Sequence, residues 1–407
     1  MGVLNDIFTT KRAAETTPVN GGFSGVFDLS GWLGGGTATT MATPKTALTI
    51  SAFYNGVEQL SNDIAKLPKS VYIKDGESRN KDSENPINYL LNKAPNDLMT
   101  AFDFWKIMVV SAIIKGDGFA RIVRNAQSGI EESYYFLDYD DVKVFKQGNK
   151  LIYMYKGEVI SSEDMIHLKY FSFDGLRGIS LIKFAAKQLG ITLDAQNYGA
   201  EVYKDKGIGY GVLETEKTVN VDNKKAIEAG FSAKMTSGAK FKTALLDEGF
   251  KYKSITITPA EAQFLETNKN GVLEICRWLN INPHKVKDFS SGTYANVYQQ
   301  SIEHTQDSIM PWAIRIEQEI DRKSFPKDSN KYFKININAL LRGDLESKRN
   351  YYTAMIYAGI MTRNEVRALE EMNPIDGLDE ILQPVNMQAL SIAMELQKNS
   401  GDGNSSK

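Results

Sequence analysis

The chain has 407 residues, 42% hydrophobic and 24% charged, with a formal net charge of −2. This length supports a large core spread over more than one structural region and excludes wholesale disorder; the near-neutral charge excludes a strongly basic surface that would hold phosphate tightly. Cys276 is the one cysteine, so an intramolecular disulfide is excluded and a reducing compartment fits. No apolar run is long enough to span a bilayer, and the N-terminus lacks the basic-then-apolar order of a secretory signal. No membrane partner is expected, and the chain should be assembled in a cytoplasm.

Residues 1–44 read as a flexible segment, rich in Gly, Thr and Ser around Gly34, Gly35 and Gly36. A first helix is expected from Ala47 to Lys66, where Ile50, Phe53, Val57, Leu60 and Ile64 alternate three and four apart; Pro68 ends it. Thr100 reads as the N-cap of a second helix, with Asp103 in its first turn, a face of Phe102, Trp105, Val109 and Ala112, and Gly116 as its stop. Short β-prone runs follow at Phe119–Arg124, Tyr134–Leu137, Val142–Phe145, Leu151–Tyr155 and Met165–Leu168. Gly, Asn and Asp punctuate them, which predicts one antiparallel meander packed on the first helices.

From Ser180 to Lys206 the pattern turns helical, with Leu181, Phe184, Leu189 and Leu193 as an apolar stripe and Gly207 as its stop. At 1.5 Å per residue this is a rod of roughly 40 Å. An αβ insert then spans about Ile208 to Ile257. Its expected strands are Val212-Leu213, Thr243–Leu246 and Tyr252–Ile257, and its helix is Asn223–Lys234. A second long helix begins with Thr258 as N-cap, Pro259 at the first helical position and Glu261 closing a capping box; its stripe is Leu265, Val272, Cys276 and Leu279, and it stops near Asn282-Pro283. The two long helices bracket the insert and should pack as a pair carrying it at their far end.

Lys285 to Thr293 reads as a polar, glycine-containing loop. A further helix is expected from Tyr294 to Lys323, with Ile302, Ile309, Trp312, Ile316 and Ile320 on one side. Pro311 lies inside it and should kink it near Asp307 to Pro311, because proline removes one backbone hydrogen bond and clashes with the preceding turn. A strand at Tyr332–Ile337 leads to Asp344, which can cap a helix ending at Gly359. Thr362 and Glu365 form a capping box before a short helix that stops by Pro374. The mixture is α+β.

Chemistry-bearing patterns are few. No G-x-x-x-x-G-K-[ST] run marks a phosphate loop, and Gly31 to Gly36 is not followed by a strand–helix nucleotide unit. His167, His284 and His304 have no metal-like spacing with one another or with the cysteine. His167 alternates with apolar neighbours at a strand end and reads as a satisfied structural histidine; Cys276 reads as a small buried hydrophobe. The pairs Asp140-Asp141 and Glu370-Glu371 read as solvated surface. No catalytic site, cofactor or metal is expected.

Several segments together resemble the portal proteins of long-tailed phages. They are Pro86-Ile87-Asn88-Tyr89-Leu90-Leu91 through Ala94-Pro95-Asn96; Lys115-Gly116-Asp117-Gly118-Phe119-Ala120, where the family usually shows Gly-Asn; and Asp174-Gly175-Leu176-Arg177-Gly178-Ile179-Ser180, where the family has proline at the place of Leu181. Ala262-Gln263-Phe264-Leu265-Glu266-Thr267, Glu274-Ile275-Cys276-Arg277 and Asn282-Pro283-His284 follow. The series ends with Met310-Pro311-Trp312, Leu341-Arg342-Gly343-Asp344, Thr362–Arg367 and Asn373-Pro374-Ile375-Asp376-Gly377, with Leu378 where a second glycine is common.

The resemblance covers about Thr46 to Pro384. It implies a portal fold: an α/β wing at 45–177 and 283–343, a stem of long helices at 178–207 and 259–282, a clip at 208–258 and a helical crown at 344–385, with a flexible tail at 386–407. Leu181, Phe184, Leu189, Leu265, Val272 and Leu279 would pack the stem, and Pro311 would kink the wing helix. Lys285, Lys287, Asp288, Ser290, Ser291 and Tyr294 would lie on a tunnel loop facing DNA. The resemblance also implies a ring, usually dodecameric, at one capsid vertex, around non-specifically held double-stranded DNA. Its partners would be the large subunit of the terminase motor, which hydrolyses the ATP, together with the major capsid protein, scaffold and head–tail connector. Two other readings remain: a monomeric nuclease with metal-dependent turnover, and a tail or connector component without the stem-plus-clip insert.

Overall fold

The computed structural model describes residues 17–18, 42–148, 150–204, 211–214, 251–254, 258–288, 297–342, 345–370 and 372–382. It is α+β, and it divides into two compact units, Met1–Asn336 and Ile337–Lys407.

In the first unit a two-residue strand β1 (Thr17–Pro18) precedes a capped turn α1 (Pro44–Ala47) and the helix α2 (Ser51–Ala65). The single helix expected from Ala47 is therefore split. A capping box between Thr43 and Thr46 closes α1 as its own turn, and Ile50 takes an extended conformation before Ser51 starts the helix. The stripe Ile50, Phe53, Val57, Leu60 and Ile64 is buried as its spacing implies. After Pro68 come β2 (Lys69–Asp75), β3 (Ser78–Lys81), α3 (Ile87–Asn92) and α4 (Ala101–Lys115). The Thr100 side chain accepts from the Asp103 N–H, and Gly116 ends α4 at φ 106°. Phe102, expected on the inner face, is 40% exposed. The buried face runs instead through Phe104, Trp105, Met108, Val109 and Ala112, because α4 is packed between α2 and the strands that follow.

Those strands are β4 (Asp117–Arg124), β5 (Glu131–Leu137), β6 (Val142–Gln147), β7 (Lys150–Tyr155), β8 (Glu158–Ser161) and β9 (Met165–Lys169). They do not form one meander. One sheet has the order β5-β4-β9 and another β1-β6-β7-β8, both antiparallel. Two capped 3-10 turns cause the split. Asp138 caps Tyr139–Asp141 and steers the chain out of β5 into the second sheet; Ser161 caps Ser162–Asp164 and returns it to pair β9 with β4. Phe119, Leu137, Val142, Val144, Tyr153, Ile160 and Met165 fill the space between the two sheets.

The long helices are α5 (Leu181–Lys204) and α6 (Thr258–Leu279). They pack together antiparallel: Tyr170, which follows β9 eleven residues before α5, donates through its hydroxyl to the Trp278 carbonyl near the end of α6 at 3.1 Å. A Cβ on Gly271 would lie 3.0 Å from Thr192 Oγ1, so glycine permits the approach there. Leu181, Leu189, Leu193, Cys276 and Leu279 are buried; Phe184 and Val272 are half-buried. Of the side chains at the start of α6, the expected capping box and Leu265 included, nothing is described. At the far end β10 (Gly211–Glu214) pairs antiparallel with β11 (Lys251–Ser254). The strand expected at Thr243–Leu246 and the helix at Asn223–Lys234 lie outside the described residues.

A helical run then comprises α7 (Val297–Glu303), a π-turn His304–Ile309 and α8 (Met310–Ser324). Pro311 sits in the first turn of α8, two residues beyond the end of the π segment. The missing proline N–H would leave the Asp307 carbonyl unsatisfied. Asn280 Nδ2 donates to that carbonyl at 2.9 Å, which stabilises the irregular turn from outside the helix. Ile309, Trp312, Ile316 and Ile320 are buried and Ile302 is half-buried. Strand β12 (Lys331–Ile335) closes the unit by pairing with β2, giving the sheet order β12-β2-β3.

The second unit holds α9 (Leu345–Tyr357) and α10 (Arg363–Leu369). Gly359 takes φ 68° after α9, and the capping box of Thr362 and Glu365 is complete. Asn364 holds the following loop by exchanging two hydrogen bonds with Ile375. Glu370, expected as solvated surface, is half-buried and accepts from Lys348 Nζ and Tyr352 Oη, each at 2.5 Å. Its neighbour Glu371 lies outside the described residues. Asp344 does as well.

Candidate functional site

Two constructions position the helix pair and the loop at its foot. The first joins the end of α4 to the start of α5. Asp117, the first residue of β4, is fully buried. Its Oδ2 accepts from Arg177 Nε at 2.6 Å, and its Oδ1 accepts from the Gly178 N–H at 2.5 Å and lies 2.9 Å from His167 Nε2. His167 Nδ1 is 3.0 Å from the Tyr153 hydroxyl. With the proton on Nε2 of a neutral imidazole, every one of these groups is satisfied. Burial lowers the His167 pKa against the pull of Asp117, which favours that neutral form. For Asp117, burial pushes the carboxyl up, but His167, Arg177 and the Gly178 N–H outweigh it and the net shift is downward. The expectation of a satisfied structural histidine at position 167 holds. The Asp117–Arg177 pair was not foreseen; its only signal was that both residues fall in glycine-flanked runs.

The second construction is the foot of the helix pair. Asn280 follows α6 at φ 52°, and Pro283–Val286 form a 3-10 turn. Asn282 Nδ2 donates to the Gln300 carbonyl at 3.0 Å, and Ser308 Oγ donates to the Asn280 carbonyl. The chain before residue 289 and the chain after residue 296 are thus tied side by side. Asp63 of α2 braces the π-turn: its carboxylate meets His304 Nε2 at 2.8 Å, Lys66 Nζ at 2.6 Å and Gln59 Nε2 at 2.9 Å.

Of the loop residues expected to face DNA, Lys285 is half-buried, and burial lowers its pKa while Asp63 opposes the shift. Lys287 is exposed at φ 64°, and Asp288 is half-buried. Ser290, Ser291 and Tyr294 lie outside the described residues. The asparagine tethers were missed in the sequence, because a side-chain bond to a distant carbonyl leaves no periodic trace. Cys276 is buried, and burial pushes its thiol to about 11, far from a nucleophile's range. Among the described residues no group of three or more His, Cys, Asp and Glu side chains could hold a metal ion, and no helix is long and apolar enough to cross a membrane.

The Asp63 brace makes stability depend on acid. Burial raises the Asp63 carboxyl, but the hydrogen bonds from His304, Lys66 and Gln59 prevail and hold it at about 2, against an ordinary 3.8. A depressed carboxylate stabilises the fold above the ordinary value and loses that contribution as pH falls toward the folded value. The contribution is about 2 kcal/mol at neutral pH. In urea unfolding, the stability gap between the native chain and Asp63→Asn is therefore expected to close as pH falls from about 5 to about 2. A gap that stays constant across that window would show that the carboxylate charge contributes nothing.

The family model for "Phage portal protein" matches residues 51–371. The portal protein of Enterobacteria phage HK97 is 29% identical over 374 residues, 89% of this chain and 87% of its own. The probable portal protein of Streptomyces phage phiC31 is 29% identical over 369 residues, 85% of this chain and 80% of its own. Among solved structures, an HK97-family phage portal protein from Corynebacterium diphtheriae superposes with a TM-score of 0.54 at 16% identity, over 75% of this chain and 98% of that one. A chain from the neck of an empty gene transfer agent particle, computed with C6 symmetry, superposes at 0.57 and 17% identity, over 92% of this chain and 100% of that one. At these identities the structural likenesses bear on the fold.

Proposed function

The chain belongs to the phage portal protein family, and from that premise we propose that its copies close into a dodecameric ring at one capsid vertex, through which double-stranded DNA enters and leaves. In this reading α5 and α6 are the stem, the segment between them is the clip, residues 45–177 and 283–343 are the wing, and residues 344–385 are the crown. The observation that carries the reading is the foot of the helix pair. Asn280, Asn282 and Asp63 hold both ends of one short segment against rigid helices, as a loop that must project into a channel and withstand moving DNA requires.

The loop is Lys285, Lys287, Asp288, Ser290, Ser291 and Tyr294. Its mixed charge, on a chain of net charge −2, gives few net phosphate contacts, and a polyanion held by few contacts can slide. The chain itself supplies structure and needs no cofactor. ATP hydrolysis falls to the large subunit of a terminase docked on the ring. Scaffold, major capsid protein and a head–tail connector are the other partners, met in the host cytoplasm before the ring becomes part of the virion.

The test has two stages. Native mass and electron microscopy of the full chain should give a homogeneous ring with a central hole. Deletion of Asp288 to Thr293 should leave the ring intact and abolish DNA packaging. Unimpaired packaging by the deleted ring would remove the loop's role. A chain that stays monomeric alongside its capsid partners would remove the portal reading.

A further inference from the structure

Two features on the helix pair have complementary shape and charge. Phe171 and Phe173, on the loop before α5, are 48% and 50% exposed. Their rings meet edge to face at 5.0 Å, and they meet Phe184 of α5 at 5.8 and 5.9 Å. This aromatic knob is flanked by Lys183 and Lys187, both exposed and without an acidic partner among the described residues.

The second feature is a pocket of about 310 Å³ between the end of α6 and the π-turn. Leu273, Cys276 and Ile281 are its apolar lining, and Glu303 and Asp307 line it too, beside Arg277, whose guanidinium pairs with Glu274. Both acids are exposed, and neither side chain has a cationic partner among the described residues. A cavity of roughly 150 Å³ lined by apolar side chains already accepts a benzene ring, so this pocket has room for a phenylalanine.

The two features share no residue, so they are distinct surfaces, as a head-to-tail contact that closes a ring requires. They also lie at one height. The Thr192–Gly271 contact fixes the register of the antiparallel helices. Phe184 lies about 12 Å from that contact and Cys276 about 8 Å, toward the same end, at 1.5 Å per residue. Rotation about an axis running along the helix pair preserves height, so it carries the knob of one copy to the pocket of the next.

We propose that Phe171, at the Phe171–Phe173–Phe184 knob of one copy, seats in the Leu273–Cys276–Ile281 pocket of a second copy of this chain, with Lys183 and Lys187 against Glu303 and Asp307. The proposal rests on the ring of the portal reading and adds to it the residues that make the subunit contact. Burying the rings supplies the driving force, and the charges set the orientation and exclude a mismatched approach.

In the full chain, Phe171→Asp is expected to weaken each subunit contact about tenfold, about 1.4 kcal/mol, and, because the loss recurs at every contact around the ring, to remove rings from the native mass spectrum. The double reversal Lys183→Glu, Lys187→Glu should do the same. The lysine positions are exposed, so their reversal should leave the thermal melt of the free subunit unchanged, and Phe171→Asp, which gives up ring contacts with Phe173 and Phe184, should lower it by only a few degrees. Adding Glu303→Lys and Asp307→Lys to the lysine reversal should restore rings. Normal rings in the Phe171 and lysine variants would overturn the knob-and-pocket contact while leaving the portal reading in place. Loss without rescue would overturn the pairing with Glu303 and Asp307. A native chain that stays monomeric beside its capsid partners would overturn both the contact and the portal reading.

Discussion

Asp117→Asn is expected to destabilise the first unit by about 3–5 kcal/mol, the range for breaking a buried ion pair from one side. The substitution keeps the volume and one acceptor oxygen, so the Gly178 N–H at 2.5 Å can still be met. It turns an amide N–H₂ toward Arg177 Nε or His167 Nε2, setting donor against donor, and it removes the only acidic group within salt-bridge distance of the buried guanidinium among the described residues. The cost is an unpaired buried cation, not a lost contact. Adding Arg177→Leu to the Asp117→Asn variant should therefore recover part of the loss, and a double-mutant cycle in urea should give a coupling well above the few tenths of a kcal/mol expected of independent sites. A loss below about 1 kcal/mol for Asp117→Asn would mean that water reaches the guanidinium.

The features legible in the sequence were those whose cause is local. Thr100 and Gly116 bound α4, Thr362 and Glu365 cap α10, and Pro311 disturbs its helix where a proline must, because each acts on residues within one turn. The two long helices around an insert could be read for the same reason: a stripe at helical spacing survives whatever packs on it. What was not legible depends on partners far along the chain. β2 was not anticipated because its mate is β12, and the pairing Lys331↔Ile73 crosses most of the first unit. The single meander became two sheets because two short capped turns decide which edge each strand meets, and period-2 patterning does not encode that choice. Phe102 looked inward because its spacing fits a stripe; α4 is packed on more than one side, and only its neighbours determine which flank is left outside. At the foot of the helix pair, Asn280 and Asn282 act through single bonds to Asp307 and Gln300, which no spacing rule reports.

Gly178→Ala is expected to cost more than about 4 kcal/mol, in the range reserved for a named structural failure. Its backbone dihedral is not the reason. A Cβ built on Gly178 falls 1.9 Å from the Gly116 carbonyl oxygen, a backbone atom that cannot swing aside. Gly116 is itself fixed: it ends α4 at φ 106°, and its carbonyl accepts from the Tyr170 N–H at 2.9 Å. Gly178 is fixed from the other side by Asp117. One of these bonds must break, and the start of α5 goes with it, since Ile179 N–H donates to the Phe171 carbonyl at 2.7 Å and Ser180 Oγ donates to the Ile114 carbonyl at 2.5 Å. Gly175→Ala in the same loop is the control. Gly175 sits at φ 72°, and a Cβ added there would meet nothing within 4 Å, so alanine should cost only about 1 kcal/mol of backbone preference. Thermal unfolding of the two variants should separate them clearly; similar melting temperatures would show that the joint is soft. Gly178→Ala and Phe171→Asp distinguish two ways of losing a ring. Gly178→Ala should lose it together with amide-exchange protection at the start of α5, whereas Phe171→Asp should lose it with that protection intact, because the first removes the joint that directs α5 and the second removes only a surface contact.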